Sequence, residues 1–409
     1  MTTVRPPRTP LVLLEVANLA GGVGNSLVMI TLPWLVLETT GSPAGAGVVA
    51  GLVTLPSLVV APVAGWLVDR VGRRQVSVGA DVASALSVAG IPVAASVGDL
   101  GFGVIAGLAL LGAVFDPAGY TGRRSLLVDV AESTRLPLDR LNGIHEGIFA
   151  LGWMLGPLVG AVLIATVGAV ASFWAAFVLF VVAAGSVAAM GVGDAGQRAR
   201  VARQQAGTEL GGWAGVVLGL TTLWRDRALR TITVAVVVLA AVYLPTESVV
   251  LPTYFEEQGS PASLGVVIAA LAGGGAVGAF SYGWLRLRLG MRAIARLSII
   301  GTAVAIVPMA LLPPVPAMAA AALVLGLAWG PMEPLLSSLV QQRVPDDVQG
   351  RVFGVQLSLF YAAPPLAMVM TGVGIERWGV SATYLTLATV LVVASGVLVT
   401  RRGLVSLDA

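Results

Sequence analysis

Apolar stretches long enough to cross a bilayer recur along the whole chain, and they constrain its fold more than any other feature of the sequence. A spanning helix needs about 20 mostly apolar residues. Of the 409 residues, 57% are hydrophobic and only 11% are charged. That charge content is too low to cover a water-facing surface of this size. The sequence therefore predicts an all-α, polytopic membrane protein.

We predict about twelve transmembrane helices. Loops rich in arginine alternate with short loops that are nearly free of it, Arg377 being the exception. Because positively charged loops stay in the cytoplasm, both termini are placed there, in agreement with an even number of helices. The predicted location is the inner (cytoplasmic) membrane. The predicted helices cover residues 11–37, 45–68, 75–97, 100–122, 142–166, 169–191, 229–251, 263–285, 293–312, 317–340, 352–374 and 380–400.

The stretch Leu210–Trp224 is also apolar, but it is short for a membrane span and has arginine on both sides. Trp213, Val217, Leu220 and Trp224 fall on one face of a helix. Two interpretations stay open: an amphipathic helix on the inner membrane surface, or a linker helix packed under the bundle.

Composition excludes several classes of function. The chain has no cysteine and one histidine, His145, so disulfides, thiolate sites and multi-histidine metal sites are excluded. No phosphate-binding Gly-x4-Gly-Lys-Ser/Thr loop occurs, and no cofactor is expected. The arginines are explained by topology, so no nucleic-acid partner is predicted. An enzyme would need converging catalytic groups, and none is visible in the sequence. A sensor would usually carry a soluble domain, and no segment is long enough for one. We therefore predict a transporter.

An internal repeat divides the chain. Position 65 begins Gly-Trp-Leu-Val-Asp-Arg-Val-Gly-Arg-Arg, and position 283 begins Gly-Trp-Leu-Arg-Leu-Arg-Leu-Gly-Met-Arg, close to half a chain length later. A weaker echo pairs Phe115-Asp116-Pro117 with Trp329-Gly330-Pro331. We predict two pseudo-symmetric six-helix halves, 1–191 and 229–409, joined by a cytoplasmic linker, 192–228. Transporters built from such repeats place their substrate near the membrane midplane, between the halves.

The segment from Gly65 to Arg74 resembles the loop 2–3 signature of the major facilitator superfamily at every defining position. This resemblance implies the major facilitator fold and a conformational gate that stabilises the outward-facing state. It also implies that Asp69 caps the N-terminus of helix 11 near residues 350–352, where a partial positive charge favours an acid. The second copy has Leu287 in place of the acid. The gate residues are Gly65, Asp69, Arg70, Gly72, Arg73 and Arg74.

Helix 5 resembles the antiporter motif of that family's drug–proton exporters, with Ala161 in place of its last glycine. Segments 115–118, 123–126 and 141–142 resemble the enterobactin-exporter and macrolide-efflux branch. Glycines let helices approach closely and proline bends a helix, so tight packing alone is the alternative. Helix 4 has no arginine in its predicted core, and a proton relay through one is not implied. The motif residues are Gly143, Gly152, Gly156, Pro157 and Gly160.

Four carboxylates within predicted spans are the candidates: Asp116, Glu333, Glu247 and Glu15. Asp81 of helix 3 lies closer to the inner loop. Acids in a bilayer are costly and usually functional, because a low dielectric disfavours their charged form. We predict that they couple transport to protons, with a role in packing or gating as the alternative. His145 and Glu146 begin helix 5 and are expected to face the cytoplasm.

Five side chains are candidates for substrate binding: Asn18, Asn25, Trp153, Tyr243 and Trp329. The sequence predicts a proton-coupled secondary transporter that exports amphipathic drugs or secondary metabolites by alternating access. Its partners are then an amphipathic small molecule, protons and the lipid bilayer, and a monomer is sufficient. The alternative is a proton-coupled nutrient importer, which would have a more polar midplane.

Overall fold

The computed structural model describes residues 8–98, 100–136, 138–191, 213–400 and 402–407, without the side chains of 57–70, 138–140, 142–143, 213–216, 346–347, 349–350, 402–403 and 405. Every regular element in these ranges is helical. The first six helices are α1 (Thr9–Thr40), α2 (Pro43–Val71), α3 (Arg73–Val97), α4 (Phe102–Thr134), α5 (Leu138–Val167) and α6 (Ala169–Ala188).

The described residues after α6 form nine further α-helices, a π-helical turn at Thr246–Val250 and a 3₁₀ turn at Arg402–Leu407. The helices are α7 (Trp213–Arg225), α8 (Arg227–Pro245), α9 (Leu251–Glu257), α10 (Pro261–Arg288), α11 (Met291–Ala310), α12 (Val315–Trp329), α13 (Met332–Arg343), α14 (Asp346–Ala362) and α15 (Pro364–Val399).

The predicted membrane fold is confirmed. Ten described segments are long and apolar enough to cross a membrane. One of them, Arg351–Val399, contains Gly379 with φ 79°, a left-handed conformation that divides it into two spans. The remaining predicted span is α2, and the part of it with described side chains that precedes residue 57, Pro43–Pro56, is apolar. These helices match the twelve spans expected from the sequence.

Helix α4 continues well past the end predicted for it. It runs to Thr134 and ends at Arg135, which has φ 55°. The sequence placed Arg123 and Arg124 in a loop because charge marks the exit from the apolar stretch. Charge does not end a helix, however, since arginine is a good helix former. Both arginines are therefore helical residues.

The described residues fall into two compact units, within the ranges Met1–Leu35 with Leu52–Glu209 and Val36–Gly51 with Leu210–Ala409. In the first unit, Leu14 and Ala17 of α1 share a buried cluster with Leu126 and Val130 of α4 and with Val187 of α6. Residues 192–212 lie outside the described residues, so the predicted linker boundaries stay a prediction.

The second unit is held together by close backbone approaches at glycines. A Cβ added to Gly326 of α12 would lie 2.6 Å from the Gly275 nitrogen, and one added to Gly330 would lie 2.7 Å from the Ala279 nitrogen. The hairpin Val36–Gly51 also belongs to this unit. Its Ala44 N–H donates to the Glu376 carboxylate at 3.3 Å.

The linker helix α7 has two different faces. A Cβ on Gly219 would lie 2.7 Å from the Arg351 carbonyl oxygen, and Leu223 is fully buried. The opposite face keeps Val217, Leu220 and Trp224 more than 40% exposed. The helix therefore packs on α14 with one side, as expected of a linker helix under the bundle. Its other side leaves Val217, Leu220 and Trp224 exposed, as expected of an amphipathic helix on the membrane surface.

Candidate functional site

Asp116 lies at a recess inside the first unit. The Ser84 hydroxyl of α3 donates to Asp116 Oδ1 at 2.7 Å. The recess is also lined by Asn25 of α1 and by Phe173 and Phe180 of α6. Two predicted site residues, Asp116 and Asn25, are thus brought together. A carboxylate in an apolar recess can bind a proton or a cationic group.

A buried ion pair lies two helical turns along α4 from Asp116. Arg123 Nη1 lies 2.6 Å and 2.7 Å from the two carboxylate oxygens of Asp81, and both side chains are almost inaccessible. The same guanidinium reaches Gly21 of α1, whose added Cβ would lie 2.8 Å from Arg123 Nη2. The interpretation that helix 4 lacks an inner arginine is therefore wrong. The seven-residue spacing places Asp116 and Arg123 on one face of the helix. This spacing was the feature of the sequence that could have predicted a buried arginine.

A second buried cluster joins α1 to α5. His145 Nδ1 lies 3.1 Å from Glu15 Oε1, and the Asn18 amide donates to Glu15 Oε2 at 3.2 Å and to the His145 carbonyl at 2.7 Å. His145 is fully buried. The expectation that it faces the cytoplasm is wrong, because its partner comes from a helix 130 residues away. Glu146, the next residue, is exposed.

The predicted gate is described in part. Arg73 Nη1 lies 3.0 Å from Asp129 Oδ2, and Arg74 donates to the Ala188 carbonyl. Gly72 has φ 121°, which a residue with a side chain rarely adopts. The side chains of Asp69 and Arg70, with the surroundings of Gly65, lie outside the described residues.

The second copy of this loop has a different conformation. Gly290, which stands where Gly72 stands in the first copy, has φ −68°. Leu287 replaces the acid and is 86% exposed. The charge pattern and the backbone of the first loop are therefore not repeated.

The glycines of the helix 5 motif pack against α1. A Cβ on Gly152 would lie 3.1 Å from both Gly22 Cα and Val23 N, and one on Gly156 would lie 2.8 Å from the Val23 carbonyl oxygen. The Ser26 hydroxyl donates to the Gly152 carbonyl at 3.1 Å. Gly160 is looser, with Thr31 Oγ1 3.5 Å away from its added Cβ. Pro157 lies within α5, and the surroundings of Gly143 fall outside the described residues.

We expect Gly152→Val to destabilise the protein by about 1–3 kcal/mol, because the facing atoms belong to the backbone of α1 and cannot move aside cheaply. Gly147→Ala on the same helix is the matched control. Its added Cβ meets nothing within 4 Å, so it should be neutral or slightly stabilising. Thermal unfolding in detergent measures both. Equal midpoints would mean that α1 and α5 are not in close contact.

The predicted residues of the second unit form an aromatic and acidic group. Tyr243 of α8 and Trp329 of α12 stack, with centroids 5.2 Å apart and planes 17° apart. Glu247 lies in the π-helical turn one turn after Tyr243 and is 9% exposed. Such turns frequently occur at functional sites. Glu333 begins α13 just after the break at Gly330 and is exposed.

Trp153 and Asn18, the other predicted binding residues, lie in the first unit. The Trp153 ring contacts Phe149 with centroids 6.1 Å apart, and its indole nitrogen is buried with no hydrogen-bond partner among the described residues. The Asn18 amide nitrogen is engaged by Glu15 and by the His145 carbonyl. Trp153 therefore has a buried donor that the described residues do not pair, whereas Asn18 holds two helices together.

The apolar spans, the two units and the carboxylates inside them define a multi-pass membrane protein. The profile of the Major Facilitator Superfamily matches residues 14–368. The chain belongs to this family and is therefore a transporter, not an enzyme.

Relatives and solved structures agree with this assignment. Proteins named multidrug efflux pump Tap from Mycobacterium tuberculosis and Mycolicibacterium fortuitum are each 37% identical to the chain. The first alignment covers 98% of the chain and 95% of the relative, and the second covers 93% of both. The structure of the nucleoside transporter NupG matches 97% of the chain and 100% of its own length, with a TM-score of 0.72 and 13% identity. A D-xylose-proton symporter matches 95% and 96%, with a TM-score of 0.71 and 11% identity. These two likenesses concern the fold alone.

Proposed function

We propose that the protein is a proton-coupled exporter of amphipathic drugs or secondary metabolites that works by alternating access. The observation that carries this proposal is the similarity, over nearly the full length, to proteins named multidrug efflux pump. The importer alternative has no comparable support, since the symporter of similar fold is only 11% identical.

Proton coupling is assigned first to Asp116. Its carboxylate borders the recess, where it accepts a hydrogen bond from the neutral hydroxyl of Ser84. Loss of its charge by protonation leaves a neutral recess suited to apolar groups. Glu247, Glu333 and Glu15 are the further candidates, and Glu247 is the one that is buried in the other unit.

Substrate binding is assigned to both units. The stacked pair Tyr243 and Trp329 offers an apolar, electron-rich surface, and Glu247 lies one turn from Tyr243. In the first unit, Asn25 lines the recess beside Asp116 and Trp153 contributes an unpaired indole donor. These groups suit a molecule with an apolar body and a polar or charged end.

Gating, location and assembly complete the proposal. Gly65, Asp69, Arg70, Gly72, Arg73 and Arg74 form the gate, and the Arg73–Asp129 ion pair is the part of it that supports this assignment. The protein lies in the inner membrane with both termini in the cytoplasm, as the arginine-rich loops indicate. It acts as a monomer.

Proton release from acidified inverted membrane vesicles tests the proposal. Addition of cationic or macrocyclic drugs should release protons from vesicles that contain the protein and not from vesicles prepared without it. Glu146→Gln, an exposed change on α5, is the matched control and should respond as wild type does. No response to any drug, together with solute uptake by whole cells, would contradict export and favour the importer.

A further inference from the structure

Glu15, Asn18 and His145 form a buried titratable cluster that is separate from the recess at Asp116. Asn18 is 1% exposed, Glu15 is 7% exposed and His145 is fully buried. The Glu15 carboxylate has a partner on each oxygen, His145 Nδ1 at 3.1 Å and the Asn18 amide at 3.2 Å. His145 Nε2 is buried with no hydrogen-bond partner among the described residues.

The surroundings of this cluster are apolar. Leu14 and Ala17, which flank Glu15 on α1, pack with Leu126 and Leu127 of α4 and with Leu141 of α5. The α6 residues of the same buried cluster are Ala183 and Val187, and α6 carries no charged residue between Ala169 and Ala188. An unpaired charge in such surroundings is costly, so the cluster's protonation state matters energetically.

The other charged side chains on the neighbouring helices are engaged elsewhere or exposed. Among the described contacts, none of them is a second cationic partner of Glu15. On α3 and α4, Arg123 binds Asp81, Arg73 binds Asp129 and Arg74 donates to the Ala188 carbonyl. On α4, Asp116 accepts from Ser84 and Glu132 is exposed. Arg124 binds Glu146 of α5 at 3.4 Å, and the side chains of Asp139 and Arg140 lie outside the described residues.

We propose that Glu15 and His145 form a proton-binding site of the first unit, with Asn18 as its positioning residue. With a proton bound, the site is a carboxylate–imidazolium pair of zero net charge. Without it, a carboxylate and a neutral imidazole leave one negative charge among apolar side chains. The bound proton therefore converts a costly buried net charge into an ion pair that has none.

The site lies at the interface where α1 and α5 touch most closely. Asn18 links Glu15 of α1 to the His145 carbonyl of α5 at 2.7 Å. About one to two turns further along each helix, Gly22 faces Gly152. The proton adds a charge-assisted contact across this interface, so its binding strengthens the α1–α5 contact. The inference does not require that Asp116 couples or that the protein exports drugs.

The chain's single histidine makes a direct measurement possible. Protein labelled with ¹⁵N-histidine and reconstituted in lipid bilayers gives one imidazole, whose protonation can be followed by NMR over a pH series. We expect the imidazole signals of wild type and of Glu15→Gln to respond differently over this series, because only wild type has a carboxylate oxygen 3.1 Å from Nδ1 to stabilise the bound proton. Glu146→Gln, the adjacent exposed acid, should match wild type.

Equal titration of wild type and Glu15→Gln would overturn the site. Should Glu15→Gln fail to fold, the wild-type titration decides alone, since an imidazole that titrates like free histidine contradicts the proposed pair. The readout needs no transport, so it stays informative if drug export is not found. Conversely, drug-driven proton release that persists beside a free-histidine titration would leave the export proposal standing without this site.

Discussion

Arg123→Met is expected to lower the free energy of unfolding by roughly 3–5 kcal/mol, the range found when one partner of a buried ion pair is removed. The Asp81 carboxylate is 4% exposed, and Arg123 Nη1 contacts both of its oxygens. Methionine fills much of the same volume but leaves that carboxylate buried without its cation. Equilibrium unfolding in mixed micelles, followed by tryptophan fluorescence, measures the loss.

Two further variants separate this effect from lost packing. Arg124→Met removes the next residue's exposed ion pair with Glu146 and should change stability by less than about 1 kcal/mol. The double variant Arg123→Met, Asp81→Leu removes both charges and should recover most of the loss, because apolar replacements of buried pairs are often tolerated. A double variant as unstable as the single one would show that the arginine acts through shape and not through charge.

Asp116→Asn is expected to reduce drug-driven proton release by on the order of 100-fold, the lower end of what a positioned acid–base group contributes. Asparagine keeps an acceptor for the Ser84 hydroxyl and nearly the same shape, but it cannot take up a proton. Drug binding, measured by fluorescence quenching on purified protein, should change much less. Proton release from inverted vesicles measures the coupling.

Ser84→Ala is the matched control for this prediction. It removes the 2.7 Å hydrogen bond and keeps the carboxylate, so coupling should persist with an altered pH dependence. If Asp116→Asn releases protons as wild type does while Glu247→Gln does not, the coupling acid lies in the second unit. Loss in both variants would mean that each unit contributes an acid.

The fold was largely predictable because each membrane span is encoded by one continuous segment of the sequence. A span is a continuous apolar stretch, so α3 and α6 were placed within a few residues of their described ends. The breaks inside spans were not predicted. The π-helical turn at Thr246–Val250 and the division at Gly330 depend on how neighbouring helices pack, and glycine or proline in a membrane helix does not by itself indicate a break.

The acids of the candidate site were predictable, as were Asn25 and the pair Tyr243 and Trp329. Asp116 and Glu15 are visible as carboxylates in apolar stretches, and each has a side-chain partner in the structure. Their surroundings were not visible, because the contacts join residues distant in sequence: Ser84 with Asp116, Asp81 with Arg123, and Glu15 with His145. Arg123 was interpreted as a loop residue and His145 as facing the cytoplasm, because each lies at the charged end of a predicted span.

The glycine contacts between α10 and α12 limit how this protein can evolve. At Gly278, Gly326 and Gly330 even one added methyl group would meet backbone atoms of the facing helix. Variants selected by a new toxic compound should therefore arise at side chains such as Tyr243 and Asn25, where shape can change without moving a backbone. The part that cannot vary is thus the backbone packed at these glycines, and the part that can vary is the set of side chains that we propose to bind the substrate.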